Sequence, residues 1–248
     1  MALVRLVVLL IACVVFIGRI DRAGAQTPRA AATVDLTGYW VSVITTEWRY
    51  RMMTPPKGDY EGIPLTAAAR KVADAWDPKK ETSADACRAY GAPSIMHIPS
   101  HVHITWADDA TLRVDVDEGT QTRLFTFAPA APTRTRTWQG QSLADWQLTR
   151  PTTGAGPPSA FAKPSSLKVT TSGFRAGYLR RNGVPYSEHA TLTEFFDVVP
   201  GTRGESWLIV TTKIEDPLYL QQPLIRSVQF RKQMDGAGWK PTACSSAW

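Results

Sequence analysis

Residues His101 to Phe127, HVHITWADDATLRVDVDEGTQTRLFTF, constrain the fold of this chain more than any other stretch. Side chains two apart on a strand share a face. Val102, Ile104 and Trp106 therefore form one face, and His101, His103 and Thr105 the other. Asp108-Asp109 supplies turn chemistry, because short acidic side chains bond their own backbone. Leu112, Val114 and Val116 then alternate with Thr111, Arg113 and Asp115. Asp117-Glu118-Gly119 offers the glycine of a second hairpin. The chain returns with Gln121, Arg123, Phe125 and Phe127 on one side. Strands joined by turns this tight are antiparallel, since parallel neighbours need crossovers of roughly a dozen residues or more.

The rest of the chain extends this pattern. Tyr39 to Met52 reads as one long strand and Ser94 to Ile98 as a short one. Trp138 to Trp146 reads as a strand pair, and Leu167 to Ser172, His189 to Val198, Ser206 to Ile214 and Leu224 to Lys232 as further strands. Asn182-Gly183 and Asp235-Gly236 are turn signals. One helix is expected, about Ala67 to Trp76, with Thr66 as its N-cap and Asp77-Pro78 as its stop. Thr149 to Ser165 is rich in Pro, Gly, Ser and Thr and reads as a surface excursion, with no domain boundary there. About ten twisted strands in one sheet curl or close. The expected fold is mainly β: a single antiparallel barrel of about ten strands with one short helix.

Met1 to Ala25 has the form of a secretory signal peptide. Arg5 is the basic region, Leu6 to Ile17 the apolar core, and Ala23-Gly24-Ala25 the small-residue cleavage site. The apolar run, about 12 residues, is shorter than the roughly 20 a membrane span needs. Its removal takes away three basic residues and one acidic residue, so the net charge of +6 falls by two. Such a scattered, mild charge gives no reason to expect nucleic acid. The chain is thus expected to be exported, periplasmic or secreted, without an integral membrane span. Residues 26–34 read as a disordered leader and 35–248 as one barrel domain. Cys87 and Cys244 survive maturation, and in an oxidising compartment they are expected to form a disulfide.

Several landmarks fall in a familiar order: the helix followed by Cys87, the H-x-H-I-T-W strand at His101 to Trp106, and G-T-Q-T-R-L at Gly119 to Leu124. W-x-G-x-S-x-x-x-W at Trp138 to Trp146, L-K-V-T-T at Leu167 to Thr171, L-T-E-F-F-D at Leu192 to Asp197, and Glu215-Asp216-Pro217-Leu218-Tyr219 before Pro223 follow. Together with the Gly38-Tyr39-Trp40 entry, they resemble a group of exported bacterial β proteins of unassigned activity with a lipocalin-like (calycin-like) barrel. The likeness spans about Leu36 to Cys244. It implies a fold and an exported address, and no reaction. The chain departs after Trp146, where Gln147 to Arg150 and the Pro/Gly-rich excursion stand in place of W-E-G-D.

Three functions fit these features. The first is a binder of a small apolar or aromatic molecule, since such cavities are chiefly hydrophobic with few polar groups and the chain has nine Trp. The ligand contacts expected are His101, Trp106, Trp48, Tyr178, Tyr186 and Glu194. The second is a cofactor-independent isomerase, cyclase or lyase. His103 would be the acid/base, because its ordinary pKa lies near neutrality, and Arg123 would stabilise charge. The plainer role for Arg123 is a cross-strand ion pair such as with Asp115. The third is an interaction module of the cell envelope. His101 and His103 have a spacing compatible with chelation, but nothing requires a third ligand, so no metal and no cofactor is assigned. Phosphate-binding glycine loops, H-E-x-x-H and G-x-S-x-G are absent from the sequence. Asp216-Pro217 reads as structural. The oligomeric state is left open.

Overall fold

The computed structural model describes residues 26–32, 34–129, 135–148 and 164–246. The expected signal peptide and most of the Pro/Gly-rich excursion lie outside the described residues.

Nine strands close into one barrel. They are β1 (Gly38–Val43), β2 (His101–Asp108), β3 (Thr111–Val116), β4 (Gln121–Thr126), β5 (Gln141–Leu148), β6 (Pro164–Ser172), β9 (Thr191–Pro200), β10 (Ser206–Glu215) and β11 (Leu224–Gln233). A separate hairpin pairs β7 (Gly177–Arg180) with β8 (Val184–Tyr186). The barrel order is β1-β11-β10-β9-β6-β5-β4-β3-β2, and β1 pairs with β2 to close it. The three-strand meander stands as expected: Val102 faces Val116, and Val114 faces Arg123. One pair departs from the all-antiparallel expectation. β4 and β5 run parallel, because the connection between them carries the chain back before β5 begins. Trp138 to Trp146 accordingly contributes one strand where a pair was expected.

Two other expectations are corrected. Residues 39–52 are not one strand: β1 stops at Val43, and Trp48–Met52 is a helix. Ser94 to Ile98 is not a strand either, since Ala92–Ile95 is a helical turn with Pro93 near its start. That proline fits the first helical positions, where its missing N–H costs nothing. The helix Ala67–Ala75 forms where expected, and the Thr66 hydroxyl accepts from the Ala69 N–H at 3.2 Å. It is joined by several short helices.

The connections at the two barrel ends differ. At one end, residues 44–100, 173–190 and 216–223 build a cap with its own apolar core, including Leu65, Ala69, Phe174, Val184, Tyr186 and Leu220. Gly183 turns the hairpin at φ +80°, and a Cβ there would lie 2.2 Å from Trp76 Cγ, so only glycine fits. Buried Asp216 ties the cap together. It accepts from the Ser187 N–H and hydroxyl and from the Leu218 and Tyr219 N–H groups, the structural role expected of it. At the opposite end, Trp106, Phe127 and Trp146 stack in a row. The segment expected to be a disordered leader meets this row. Pro28–Ala31 is a helical turn, and the Trp146 indole donates to the Pro28 carbonyl at 2.9 Å.

The inner strand faces form the larger core, with Trp40, Phe125, Phe196 and Phe230 at most 1 % exposed. Cys87 and Cys244 are disulfide-bonded. The C-terminal tail is thereby fastened to the cap, and Thr242 binds the Asp117–Thr120 turn on the way. Among the described residues, no helix is long and apolar enough to cross a membrane.

Candidate functional site: an arginine-lined cavity between cap and barrel

The chemistry of this molecule concentrates where the cap meets the barrel. β11 presents Leu224, Arg226, Val228 and Phe230 to the barrel interior by strict alternation, so Arg226 projects inward among apolar side chains. On β10, Thr212 lies opposite Arg226, and on β9 Glu194 lies opposite Thr212. The cap lowers three groups onto this row. Arg51 comes from the helix Trp48–Met52, His97 from the turn after Ala92–Ile95, and Arg180 from the end of β7. Together with Glu47 they line a partly open cavity of about 30 Å³.

Each cationic group is only partly satisfied by protein. Arg51 Nε donates to the His97 carbonyl at 2.9 Å, while its Nη1 and Nη2 are buried without a hydrogen-bond partner. Arg180 Nη1 donates to the Glu61 carbonyl at 2.8 Å, and its guanidinium stacks 3.9 Å from the Tyr50 ring centroid. Its Nε has no partner, and neither do Nε and Nη2 of Arg226. His97 is 6 % exposed. Its Nε2 lies 3.2 Å from the Thr212 hydroxyl, and its Nδ1 is unpartnered. That hydroxyl also donates to the Arg226 carbonyl at 3.3 Å. Thr212 has a single proton, so donating it there leaves His97 Nε2 as the donor and Nδ1 as a free lone pair.

Four guanidiniums and one carboxylate, Glu47, line this cavity, and the fourth, Arg181, is paired with Glu118 at 3.2 Å. Burial lowers the pKa of Arg51 and Arg180, and it brings Arg226 down to about 10. His97 is held well below its ordinary value, first by burial and then by Arg226, Arg51 and Arg180. Buried charge is expensive unless it is paired and hydrogen-bonded. Unpartnered guanidinium forks have the geometry of an oxyanion receptor, since each offers two parallel N–H donors.

The state of His97 has a consequence for stability. The unfolded chain binds a proton near pH 6.5, whereas the folded chain resists it, so stability is lost as the pH falls below about 6.5. The slope approaches 1.36 kcal/mol per pH unit for one proton. Urea unfolding at pH 7.5 and 5.5 should show wild type losing about 1 kcal/mol more than His97→Gln on acidification. Equal losses would place the low-pH sensitivity elsewhere.

The site residues read from sequence are dispersed. His103 and Arg123 do not share a cavity. His103 is on the outer barrel face, stacked on Tyr39 with ring centroids 3.9 Å apart and with Trp239 at its edge. Arg123 points inward and forms a buried ion pair with Glu194, at 2.9 and 2.5 Å. The reason is alternation: Val102 and Ile104 take the inner face of β2, and His103 must then face out. Asp115, the alternative partner, pairs instead with Arg113 at 2.7 Å. His101 Nδ1 lies 2.9 Å from Asp117. Trp106 belongs to the aromatic row at the far end. Trp48 is exposed. The Tyr178 hydroxyl donates to Glu81 and accepts from Arg88, and burial pushes its phenol up to about 12. Tyr186 is fully buried against Phe174, and burial likewise raises its phenol pKa.

Sequence reasoning gave Arg180 and Arg226 no site role, placed Glu47 and Arg51 on a strand that could line a pocket mouth or be an amphipathic edge, and weighed His97 only as a third metal ligand. Two of them left a signal. Arg226 interrupts an inward apolar alternation, and His97 sits between Met96 and Ile98 in an apolar run. No protein-family model, curated protein or solved structure matches this chain.

Proposed function

We propose that this protein is an exported small-molecule-binding barrel, and that it holds its ligand through an anionic group in the arginine-lined cavity. The observation that carries the reading is the set of buried, unpartnered nitrogens of Arg51, Arg180 and Arg226 around one cavity. A bound oxyanion would satisfy those donors and offset the excess positive charge together. The disulfide and the signal-peptide form of the first 25 residues support export. The apolar ligand expected from sequence is relocated and redefined. The barrel interior holds Trp40, Phe125, Phe196 and Phe230, and the recognised part of the ligand becomes its charged group.

Isothermal titration and thermal melts with acetate, benzoate, sulfate and phosphate test this, against sodium chloride at equal ionic strength. At least one anion should bind one-to-one and raise Tm. At 100 times Kd the stabilisation is about 2.7 kcal/mol. Arg226→Met should abolish the shift. No shift from any of the four, or an undiminished shift in Arg226→Met, overturns the reading.

A second reading is favoured by the His97 Nδ1 lone pair facing the same cavity: proton transfer on a bound carboxylate, with the guanidiniums stabilising enolate charge. Solvent exchange of the α-protons of a bound carboxylate in D2O, lost in His97→Gln, would support it. Exchange no faster than in buffer would exclude it.

A further inference from the structure

Glu47 supplies the one carboxylate among the residues lining the cavity, and its setting is unlike that of the other ionised groups. Its Oε1 lies 3.5 Å from Arg180 Nη2 and its Oε2 3.9 Å from His97 Nδ1. Charge-assisted hydrogen bonds are about 2.7–2.9 Å long, so both contacts are loose. Arg180 makes a tighter bond to the Glu61 carbonyl than to this carboxylate. The Glu47 backbone is left-handed, at φ 51°, a conformation costly for a residue with a Cβ. It precedes the helix Trp48–Met52 yet makes no side-chain capping bond. Its side chain is 29 % exposed, so an outward path to solvent exists. The adjoining surface is unpacked, with Trp48, Met52 and Met53 all more than half exposed.

A carboxylate held by long contacts, on a strained residue, beside better unused donors, has the character of a stand-in. Building on the anion-binding reading, we propose that Glu47 occupies the place of the ligand's carboxylate, and that the natural ligand is a small carboxylate that displaces it. Shape decides between oxyanion classes: the ligand's charged group takes the place of a planar, two-oxygen carboxylate, and the unused donors suit two oxygens as well. Arg51 offers its Nη1/Nη2 edge and Arg226 its Nε/Nη2 edge, each a bidentate fork. Entry of the ligand moves Glu47 outward, and the segment from Ile44 to Met53 is the part of the cap that yields. Glu47 thus sets specificity in two ways. It weakens every anion by competition, and it selects the one whose charged group has its own shape.

The test compares wild type with Glu47→Gln by titration with acetate and sulfate at equal ionic strength. Glu47→Gln should bind acetate roughly tenfold more tightly than wild type, since the competing charge is gone while the side-chain shape is kept. Acetate should be preferred over sulfate in both proteins. If Glu47→Gln fails to fold, Glu47→Gly removes the same carboxylate, relieves the positive φ and takes its place. Equal acetate affinities in wild type and variant refute the displacement, and the anion reading survives if Arg226→Met still abolishes binding. Sulfate bound more tightly than acetate by either protein overturns the carboxylate assignment. Absence of anion binding in every protein removes the underlying reading itself.

Discussion

Glu194→Leu is expected to destabilise the protein by about 3–5 kcal/mol, because it strands the Arg123 guanidinium inside the barrel. Both side chains of the pair are fully buried. Arg123 Nη1 donates to Glu194 Oε1 and Nη2 to Oε2, a bidentate arrangement, and Nη2 reaches Thr171 at 3.5 Å. The guanidinium also sits 4.8 Å from the Phe125 ring centroid. Removing the carboxylate leaves a desolvated cation with a hydroxyl and a ring for company. The double replacement Arg123→Met/Glu194→Leu is expected to recover most of the loss, since apolar groups of similar volume can replace a buried pair at little cost. Urea unfolding of wild type, single and double variants measures this directly. A single variant within about 1 kcal/mol of wild type would mean that water reaches Arg123 and that the interior is wetter than the structure describes.

Loss of the Cys87–Cys244 bond is expected to cost a comparable amount. The cysteines are 157 positions apart. Closing so long a loop removes unfolded-chain entropy worth about 5 kcal/mol at 25 °C. For a domain of this size that corresponds to a Tm lower by roughly 10–20 °C in Cys87→Ala/Cys244→Ala. The bond also has a local role. It anchors the C-terminal tail, whose Ser245 N–H donates to the Tyr90 hydroxyl, over the turn at Asp117 to Thr120. Calorimetry of the double variant, and of wild type under reducing conditions, should give similar Tm values. A fall of under about 3 °C in both would show that the unfolded chain is already compact enough to make the crosslink redundant.

Much of this architecture was legible in the sequence. The meander from His101 to Phe127 has the strands, turns and face assignments its alternation implies. β6, β9, β10 and β11 fall close to their expected positions, and closure follows from their number. The cysteine pairing was legible too, because Cys87 and Cys244 are the two cysteines outside the expected signal peptide. Local errors came where extended-looking residues were bent by context. Tyr39 to Met52 carries β-prone aromatics, but β1 ends at Val43 although β11 extends to Leu224, and the chain turns into the cap through the left-handed Glu47. Ser94 to Ile98 is apolar enough for a strand, and burial in the cap made it a helical turn instead.

The candidate site was less legible, for a physical reason. Alternation along a strand is a local property, so the sequence by itself determined that His103 and Val102 face opposite ways and that Arg226 shares a face with Val228. It did not determine which chain segments would meet. Arg51, His97, Arg180 and Arg226 come from four separate elements, and only the tertiary structure brought them around one cavity. Pairing of β1 with β11 and β2 closes the barrel, and the apolar contacts of Leu65, Val184 and Leu220 seat the cap on its end. Those contacts join residues far apart in the chain, and the energy of seating apolar surface carries the charged groups with it. The sequence determined the strands and the barrel; the long-range packing of cap on barrel decided where the charge would gather.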